Sequence, residues 1–271
     1  MRKRVYLLGA AVAVALILGV LLGWYVFKVR LLVVGGCINR PVSEISQLSG
    51  IKYGDNIFFL SMEDIKTRVE QNPYYEVETV KRDYPSTIRI QVKERQPSAV
   101  LEISNEILII DSTGFVLEKR AAADGLQLPV IQGLTVNTYQ VGEKIIPDQT
   151  IQMTAMHHVL SELEMQKMIP ETEEINLSSV NDILLITRDG RPVEVGNTEN
   201  MERKIRFLRA VLEDLRSKGI YDGLINVSSG NSATYSPEVY APGEIIDYTE
   251  PAQPLETEPP KEPETIVPDG D

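Results

Sequence analysis

An uninterrupted apolar run close to the start is the strongest pattern in the sequence. From residue 5 to residue 27 no position is charged, and Ala, Val, Leu, Ile and Gly fill most of them. A helix needs about 20 apolar residues, each rising about 1.5 Å, to cross about 30 Å of hydrocarbon. The run therefore predicts a transmembrane helix over residues 5–27, with Trp24, Tyr25 and Phe27 at the end where aromatic rings favour the membrane interface.

Charges on the two sides of this run predict its orientation. The flank of residues 1–4 carries three cationic side chains, which the positive-inside rule places in the cytoplasm. Lys28 and Arg30 on the other side weaken this bias without reversing it. A cleaved secretory signal is the alternative, but its apolar region is usually about 7–15 residues long. We therefore expect a single-pass type II protein of the cell membrane, with most of its mass outside the cytoplasm.

Residues 28–96 show the pattern of a small mixed unit. An apolar stretch at 31–34 predicts a buried strand, and two short amphipathic helices follow, the second capped by Ser61. Residues 75–82 and 87–94 then predict two strands, because apolar and polar side chains alternate in the second of them. The order strand–helix–helix–strand–strand predicts a compact α+β unit.

Residues 97–235 have a different character, with many short strands. These are predicted at 99–103, 106–110, 114–117, 175–177, 182–187, 192–195, 224–228 and 233–235. Two helices are predicted, at 148–165 and 201–215. We interpret residues 128–133 as an edge segment or loop, because Pro129 cannot donate a hydrogen bond within a sheet. This region therefore predicts a mostly antiparallel β domain with two helices.

The final segment, residues 236–271, differs in composition from everything before it. It holds half of the sixteen prolines of the chain. It also holds ten acidic residues and a single basic one, Lys261, so this segment carries most of the net charge of −12. Such a stretch buries too little apolar surface to offset its ordering entropy, so we predict a disordered tail. A role as a partner-binding peptide stays open. No basic patch suggests binding to nucleic acid.

The residues that could carry chemistry form no recognisable constellation. His157 and His158 are the only histidines, and adjacent helical positions point about 100° apart, whereas two ligands of one metal favour an i, i+4 spacing. The single cysteine, Cys37, has no evident base partner and excludes an internal disulfide. We predict no catalytic, metal or cofactor site, and a membrane-anchored wall enzyme is the competing interpretation.

Several short motifs follow one another in a specific order. They are Val42-Ser43-Glu44-Ile45, Gly54-Asp55-Asn56-Ile57-Phe58, Asn72-Pro73-Tyr74, Pro85-Ser86-Thr87-Ile88, Val92-Lys93-Glu94-Arg95-Gln96-Pro97, Ile110-Asp111-Ser112-Thr113-Gly114 and Gly223-Leu224-Ile225-Asn226-Val227-Ser228. Together with the apolar run, this ordered set resembles the FtsQ/DivIB family of bacterial cell-division proteins. No single motif decides the resemblance.

The resemblance implies a division of the chain and a function. Residues 28–96 should form a POTRA domain and residues 97–235 the β domain that follows it, so the fold class is α+β with an N-terminal transmembrane helix. The resemblance also implies a bitopic scaffold of the divisome that binds FtsL and FtsB/DivIC type coiled-coil partners at the septum and helps coordinate septal peptidoglycan synthesis. A POTRA-containing protein-transport or chaperone module is a second competing interpretation.

The last predicted strands are our candidate for partner binding. Small β domains expose strand edges, whose unpaired amides and carbonyls can accept a strand of another chain. We expect Ile225, Val227, Thr234 and Tyr235 to form this site, although the same residues could fill the core of the β domain. The POTRA strand at 87–94 is a weaker candidate for a second surface.

Overall fold

The structure is a computed structural model that describes residues 2–103, 106–121 and 125–237. A single helix, α1, covers Arg2–Val26, which agrees with the helix expected there. Within the described part of the chain, no helix reaches the combined length and hydropathy of a membrane span. The transmembrane role of α1 stays a prediction. The predicted tail, apart from its first two residues, lies outside the described residues.

The first folded unit follows α1 directly and has the predicted order of elements. Its elements are β1 (Leu31–Gly35), α2 (Val42–Ser49), α3 (Met62–Glu70), β2 (Tyr75–Asp83) and β3 (Thr87–Glu94). The three strands form one sheet in the order β1-β3-β2, in which β3 is antiparallel to β2 and parallel to β1. The predicted β-α-α-β-β order is therefore confirmed. The prediction that its first strand is buried is wrong, because β1 lies at the edge of the sheet and its residues are exposed or half-buried.

Local sequence signals explain why the helices of this unit begin and end where they do. The Ser61 hydroxyl accepts a hydrogen bond from the Asp64 N–H at 3.1 Å, which satisfies one of the free amides at the start of α3. Gly50 ends α2 with a φ of 68°, a conformation that costs glycine nothing. Both helices bury apolar side chains against the sheet, with Ile45 and Ile65 fully buried.

The second folded unit is built on one large sheet. Its elements are β4 (Ala99–Ile103), β5 (Glu106–Ile110), β6 (Val116–Arg120), β7 (Val130–Gln132), β8 (Val136–Thr138), β9 (Ile146–Pro147), α4 (Thr150–Met165), a 3-10 helix (Ile169–Glu171), β10 (Thr172–Asn176), β11 (Ile183–Thr187), β12 (Pro192–Gly196), α5 (Met201–Ser217), β13 (Leu224–Asn226) and β14 (Thr234–Ser236). Nine strands form one sheet in the order β14-β13-β12-β11-β10-β7-β4-β5-β6, and β8 and β9 form a separate pair. Five of the eight pairings in the large sheet are antiparallel, as predicted.

The interpretation of residues 128–133 as an edge segment or loop is wrong. Strand β7 lies inside the sheet, parallel to both β10 and β4. Pro129 comes just before the strand, and only its carbonyl is used: it accepts a hydrogen bond from the Val100 N–H at 2.9 Å. The missing N–H of proline therefore removes no hydrogen bond from the ladder, and the argument against an interior position fails.

Helices α4 and α5 share one core with a single face of the large sheet. The buried side chains of the strands recur at every second residue, for example Leu108 and Ile110 or Ile183 and Leu185, so they point to the same face. Val159, Leu160 and Leu163 of α4 and Ile205, Leu208 and Leu212 of α5 belong to the same buried cluster. The sheet and the two helices are therefore one cooperative unit.

Glu94, at the end of β3, fixes the chain that follows β1. One of its carboxylate oxygens accepts hydrogen bonds from the backbone N–H groups of Ile38, Asn39 and Arg40, at 2.8, 2.9 and 3.4 Å. Burial alone would raise the pKa of Glu94, but these backbone hydrogen bonds outweigh it and hold the pKa below its usual value. The charged carboxylate therefore stabilises the folded state.

We predict that Glu94→Gln lowers the free energy of unfolding by about 1–3 kcal/mol at pH 7, the usual cost of weakening hydrogen bonds to a buried charged group. Because the folded-state pKa is depressed, the contribution of Glu94 is complete above the unfolded-state pKa of about 4.3 and is lost as the pH falls through the folded-state value. Urea denaturation of residues 27–237 should therefore show a difference that shrinks at acidic pH. Glu78→Gln, at an exposed position, is the control.

Candidate partner-binding edge

Strand β14 is the last strand of the nine-stranded sheet. It pairs with β13 on one side, and no strand of the described chain covers its other side. The backbone groups on an uncovered edge keep their capacity to form hydrogen bonds, so they can pair with an added strand. Which of them point outward depends on the register.

The register of β13 can be followed from its contact with β12. The Val227 N–H donates a hydrogen bond to the Glu194 carbonyl at 2.9 Å, so the backbone groups of residue 227 face β12. Backbone groups alternate in direction along a strand, so those of Ile225 also face β12, whereas those of Leu224 and Asn226 face β14.

The opposite residues of β14 follow from this. Leu224 lies opposite Ser236 and Asn226 lies opposite Thr234, so these two pairs form the hydrogen bonds between the strands. Tyr235 lies opposite Ile225, and its backbone N–H and carbonyl therefore point away from β13. Tyr235 presents one donor and one acceptor at the open edge.

The four residues that the sequence suggested for this site have different environments. Ile225 and Val227 are 0% exposed and belong to the core of the second unit, so their side chains support the edge from behind and do not reach its outer side. Thr234 is exposed, and Tyr235 is partly buried, with its side chain packed against the same core. Of the four, only Thr234 and the exposed part of Tyr235 therefore offer side-chain surface to an added strand.

Gly223 makes the position of the Tyr235 ring possible, and the sequence patterns did not indicate this role. Its φ is +87°, and a Cβ atom at this position would lie 2.5 Å from both the Tyr235 ring and the Ser236 carbonyl oxygen. Real Cβ atoms do not come so close to other atoms. The Tyr235 side chain therefore lies directly on the backbone of Gly223, just before β13 begins.

Two further reactive groups, His157 and Lys204, have structural partners. Nδ1 of His157 lies 2.9 Å from the Ser112 carbonyl, and no group of three or more potential metal ligands occurs in the described residues. The buried Nζ of Lys204 donates to the Asn197 carbonyl at 2.8 Å, and burial lowers its pKa while Glu199 acts in the opposite direction. These contacts stabilise loops.

Comparison with known proteins identifies the family. A family model described as "POTRA domain, FtsQ-type" matches residues 27–95, and one described as "Cell division protein FtsQ/DivIB, C-terminal" matches residues 99–228. Cell division protein FtsQ of Syntrophotalea carbinolica is 31% identical over 222 residues, which cover 79% of this chain and 76% of the relative. The chain belongs to the FtsQ/DivIB family. It is a cell-division protein with a POTRA domain, the first folded unit, and a β domain, the second.

Further relatives carry the same names. Cell division protein DivIB of Clostridium tetani is 28% identical over 211 residues, covering 77% of this chain and 79% of the relative. DivIB of Clostridium botulinum is 27% identical over 212 residues, covering 77% and 82%. Among solved structures, the major extracytoplasmic domain of the trans isomer of DivIB from Geobacillus stearothermophilus covers 46% of this chain and 97% of that chain, with 14% identity and a TM-score of 0.31.

We predict that Gly223→Ala disturbs β14 more than a positive φ alone can explain. The strained φ should cost about 1–2 kcal/mol, and the contacts with Tyr235 and Ser236 should add about 1–3 kcal/mol. Gly142→Ala is the matched control, since Gly142 has a φ of +88° and nothing within 4 Å of its added Cβ. Urea denaturation measures the cost, and amide exchange in β14 locates it. Equal costs for the two variants would contradict the proposed packing.

Proposed function

We propose that this FtsQ/DivIB protein is a non-enzymatic scaffold of the divisome, anchored in the cell membrane by residues 5–27. Its β domain captures FtsL and FtsB/DivIC type partners at the septum and thereby helps coordinate septal peptidoglycan synthesis. The observation that carries the proposal is the open edge of β14, where the backbone N–H and carbonyl of Tyr235 point outward. Protein recognition by strand addition needs such an edge.

The uncharged run of residues 5–27 supports the membrane anchor. As a helix, its 23 residues would extend about 35 Å, which exceeds the roughly 30 Å of a hydrocarbon core. The cationic flank of residues 1–4 belongs in the cytoplasm by the positive-inside rule. This topology brings both folded units to the outer side of the membrane, where the cell wall is built.

The opposite edge of the large sheet is less suited to strand addition. Strand β6 carries charges that are already paired: Lys119 Nζ lies 2.6 Å from a Glu106 oxygen, and Arg120 Nε lies 2.7 Å from a Glu118 oxygen. Charged side chains on an edge discourage pairing with another chain, because a new strand would have to displace or desolvate them. The uncharged edge Thr234–Ser236 is the better docking site.

Tyr235 gives this short edge a side-chain anchor. A strand of three residues offers few backbone hydrogen bonds, each with a net contribution of about 0.5–1.5 kcal/mol. Aromatic side chains that become fully buried on binding often dominate the energy of an interface. Tyr235 is already held in place by the core and by Gly223, so little conformational entropy is lost when a partner covers it.

We predict that a soluble form of the FtsL and FtsB/DivIC type partners slows amide exchange at Tyr235. The amides of Thr234 and Ser236 are already bonded to β13, so their exchange should change less on binding. Hydrogen exchange resolved to single residues by NMR measures the difference. Binding that leaves the Tyr235 amide unprotected would rule out strand addition at this edge.

We also predict that Tyr235→Glu weakens capture of these partners at least about tenfold, which corresponds to a loss of about 1.4 kcal/mol. Tyr53→Glu is the matched control, because Tyr53 is an exposed tyrosine of the POTRA domain, far from β14 in the sequence. A quantitative pull-down from detergent extract measures capture. The unfolding curves of both variants should be compared with that of the wild-type protein. Equal capture of the partners by the two variants would contradict docking at the edge of β14.

A further inference from the structure

A second surface of the chain is built from aromatic rings, most of them exposed, at the junction of α1 and the POTRA domain. It consists of Trp24, Phe27, Phe58, Phe59 and Tyr84, which we call the aromatic collar. The ring centroids of Trp24 and Phe59 are 5.6 Å apart, those of Phe27 and Phe58 4.8 Å, and those of Phe58 and Tyr84 5.6 Å. The rings form two contacting groups, Trp24 with Phe59 and Phe27 with Phe58 and Tyr84, and the neighbouring residues Phe58 and Phe59 join the groups along the chain.

Four of the five collar rings lie outside the POTRA core, whereas Phe27 is half-buried and packs against it. Phe58, Phe59 and Tyr84 expose 53%, 74% and 58% of their surface, whereas the buried cluster of this unit is formed by other residues. Soluble surfaces rarely expose a patch of this kind unless it contacts another phase or another protein.

The junction between α1 and the POTRA domain is held by backbone hydrogen bonds. The Ile57 N–H donates to the Phe27 carbonyl at 2.9 Å, the Val29 N–H donates to the Asp55 carbonyl at 2.7 Å, and the Gly54 N–H donates to the Val29 carbonyl at 2.9 Å. Val29 is also buried in the POTRA core. The end of α1 and the segment that carries Phe58 and Phe59 are therefore fixed side by side.

This attachment determines where the collar lies along the axis of α1, and therefore its depth in a bilayer that α1 spans. Trp24 lies in the last turns of the helix, and Phe59 packs against it. If α1 spans the bilayer, Trp24 is at the outer interface, and the POTRA rings that touch it must be there as well. Aromatic rings are enriched at this depth. Lys28 and Arg30 add two positive charges next to the rings, which suits anionic lipid headgroups.

We infer that the aromatic collar inserts into the outer headgroup region of the bilayer and seats the POTRA domain directly on the membrane. The inference rests on the membrane anchor of the proposed function. The occupant of the surface is lipid, because the collar continues the end of α1 that must already meet the headgroups. The POTRA domain is thus attached to the membrane in two ways, by the spanning helix and by the aromatic side chains of the collar.

Site-directed spin labelling of the full chain tests this inference. In a Cys37→Ser background, which removes the single cysteine, labels are placed by Phe59→Cys, Tyr84→Cys, Leu18→Cys or Tyr221→Cys. Leu18 reports on the anchor, and Tyr221 is an exposed aromatic residue of the β domain. Each variant is reconstituted in vesicles of phosphatidylethanolamine and phosphatidylglycerol. Collision rates with oxygen, which concentrates in lipid, are compared with those of a water-soluble nickel complex.

We expect the labels at positions 59 and 84 to favour oxygen, less strongly than the label at 18 and clearly more than the label at 221. If the label at 18 lies in lipid but the labels at 59 and 84 behave as the label at 221 does, the inferred insertion of the collar is wrong and the membrane anchor still stands. A label at 18 that is as accessible to the nickel complex as the label at 221 overturns the anchor and the collar together.

A second set of variants tests whether the rings themselves cause insertion. In the background of the label at 84, Phe58→Ser combined with Phe59→Ser should abolish the preference of this label for oxygen, while the same double substitution leaves a label at 18 unchanged. Tyr53→Ser, at an exposed tyrosine outside the collar, should have no effect at either position. Retained oxygen preference at position 84 in the double variant contradicts the inference.

Discussion

The orientation of the β domain on the POTRA domain depends on Arg95, the residue that follows β3. Its guanidinium lies 3.1 Å from Asp111 in the β domain and 3.3 Å from Glu76 in the POTRA domain, and it stacks on the Phe115 ring at 4.0 Å. Asp111 also accepts the N–H groups of Thr113 and Phe115, so the same carboxylate shapes the turn before β6. Because Arg95 and Asp111 are largely buried, breaking the pair would leave a charge without a partner inside the protein.

This junction is one of a series of hydrogen-bonded connections. The backbone hydrogen bonds between residues 27–29 and 54–57 join α1 to the POTRA domain, and the Tyr74 hydroxyl, which donates to Glu118 at 3.1 Å, joins the POTRA domain to β6. From β6 the sheet continues across its other eight strands, the last of which is β14. The open edge of β14 is therefore held at a defined place relative to the end of α1, as the proposed scaffold function requires.

Local sequence patterns predicted where helices and strands occur far better than they predicted which strands pair with one another. Three features depend on residues close in sequence, and the structure has all of them: alternating burial along β3, the cap of α3 at Ser61 and the apolar face of α5. The interior position of β7 depends on parallel pairing with β4 and β10, which no local pattern encodes, so Pro129 was misleading. For the same reason the sequence predicted a docking edge near its last strands but not that Tyr235 presents its backbone outward, since that follows from the register with β13.

The shortness of β14 fits the membrane setting of the proposed function. Three residues provide few hydrogen bonds, and between proteins free in solution their sum would barely offset the lost rotational and translational freedom. Partners anchored in the same bilayer have already lost part of that freedom, which raises their effective concentration at the edge. A POTRA domain seated on the headgroups by Phe58 and Phe59 would restrict the tilt of the β domain as well, because Arg95 couples the two domains. A weak and short edge then suffices for specific capture, and its unpaired groups are too few to recruit unrelated strands.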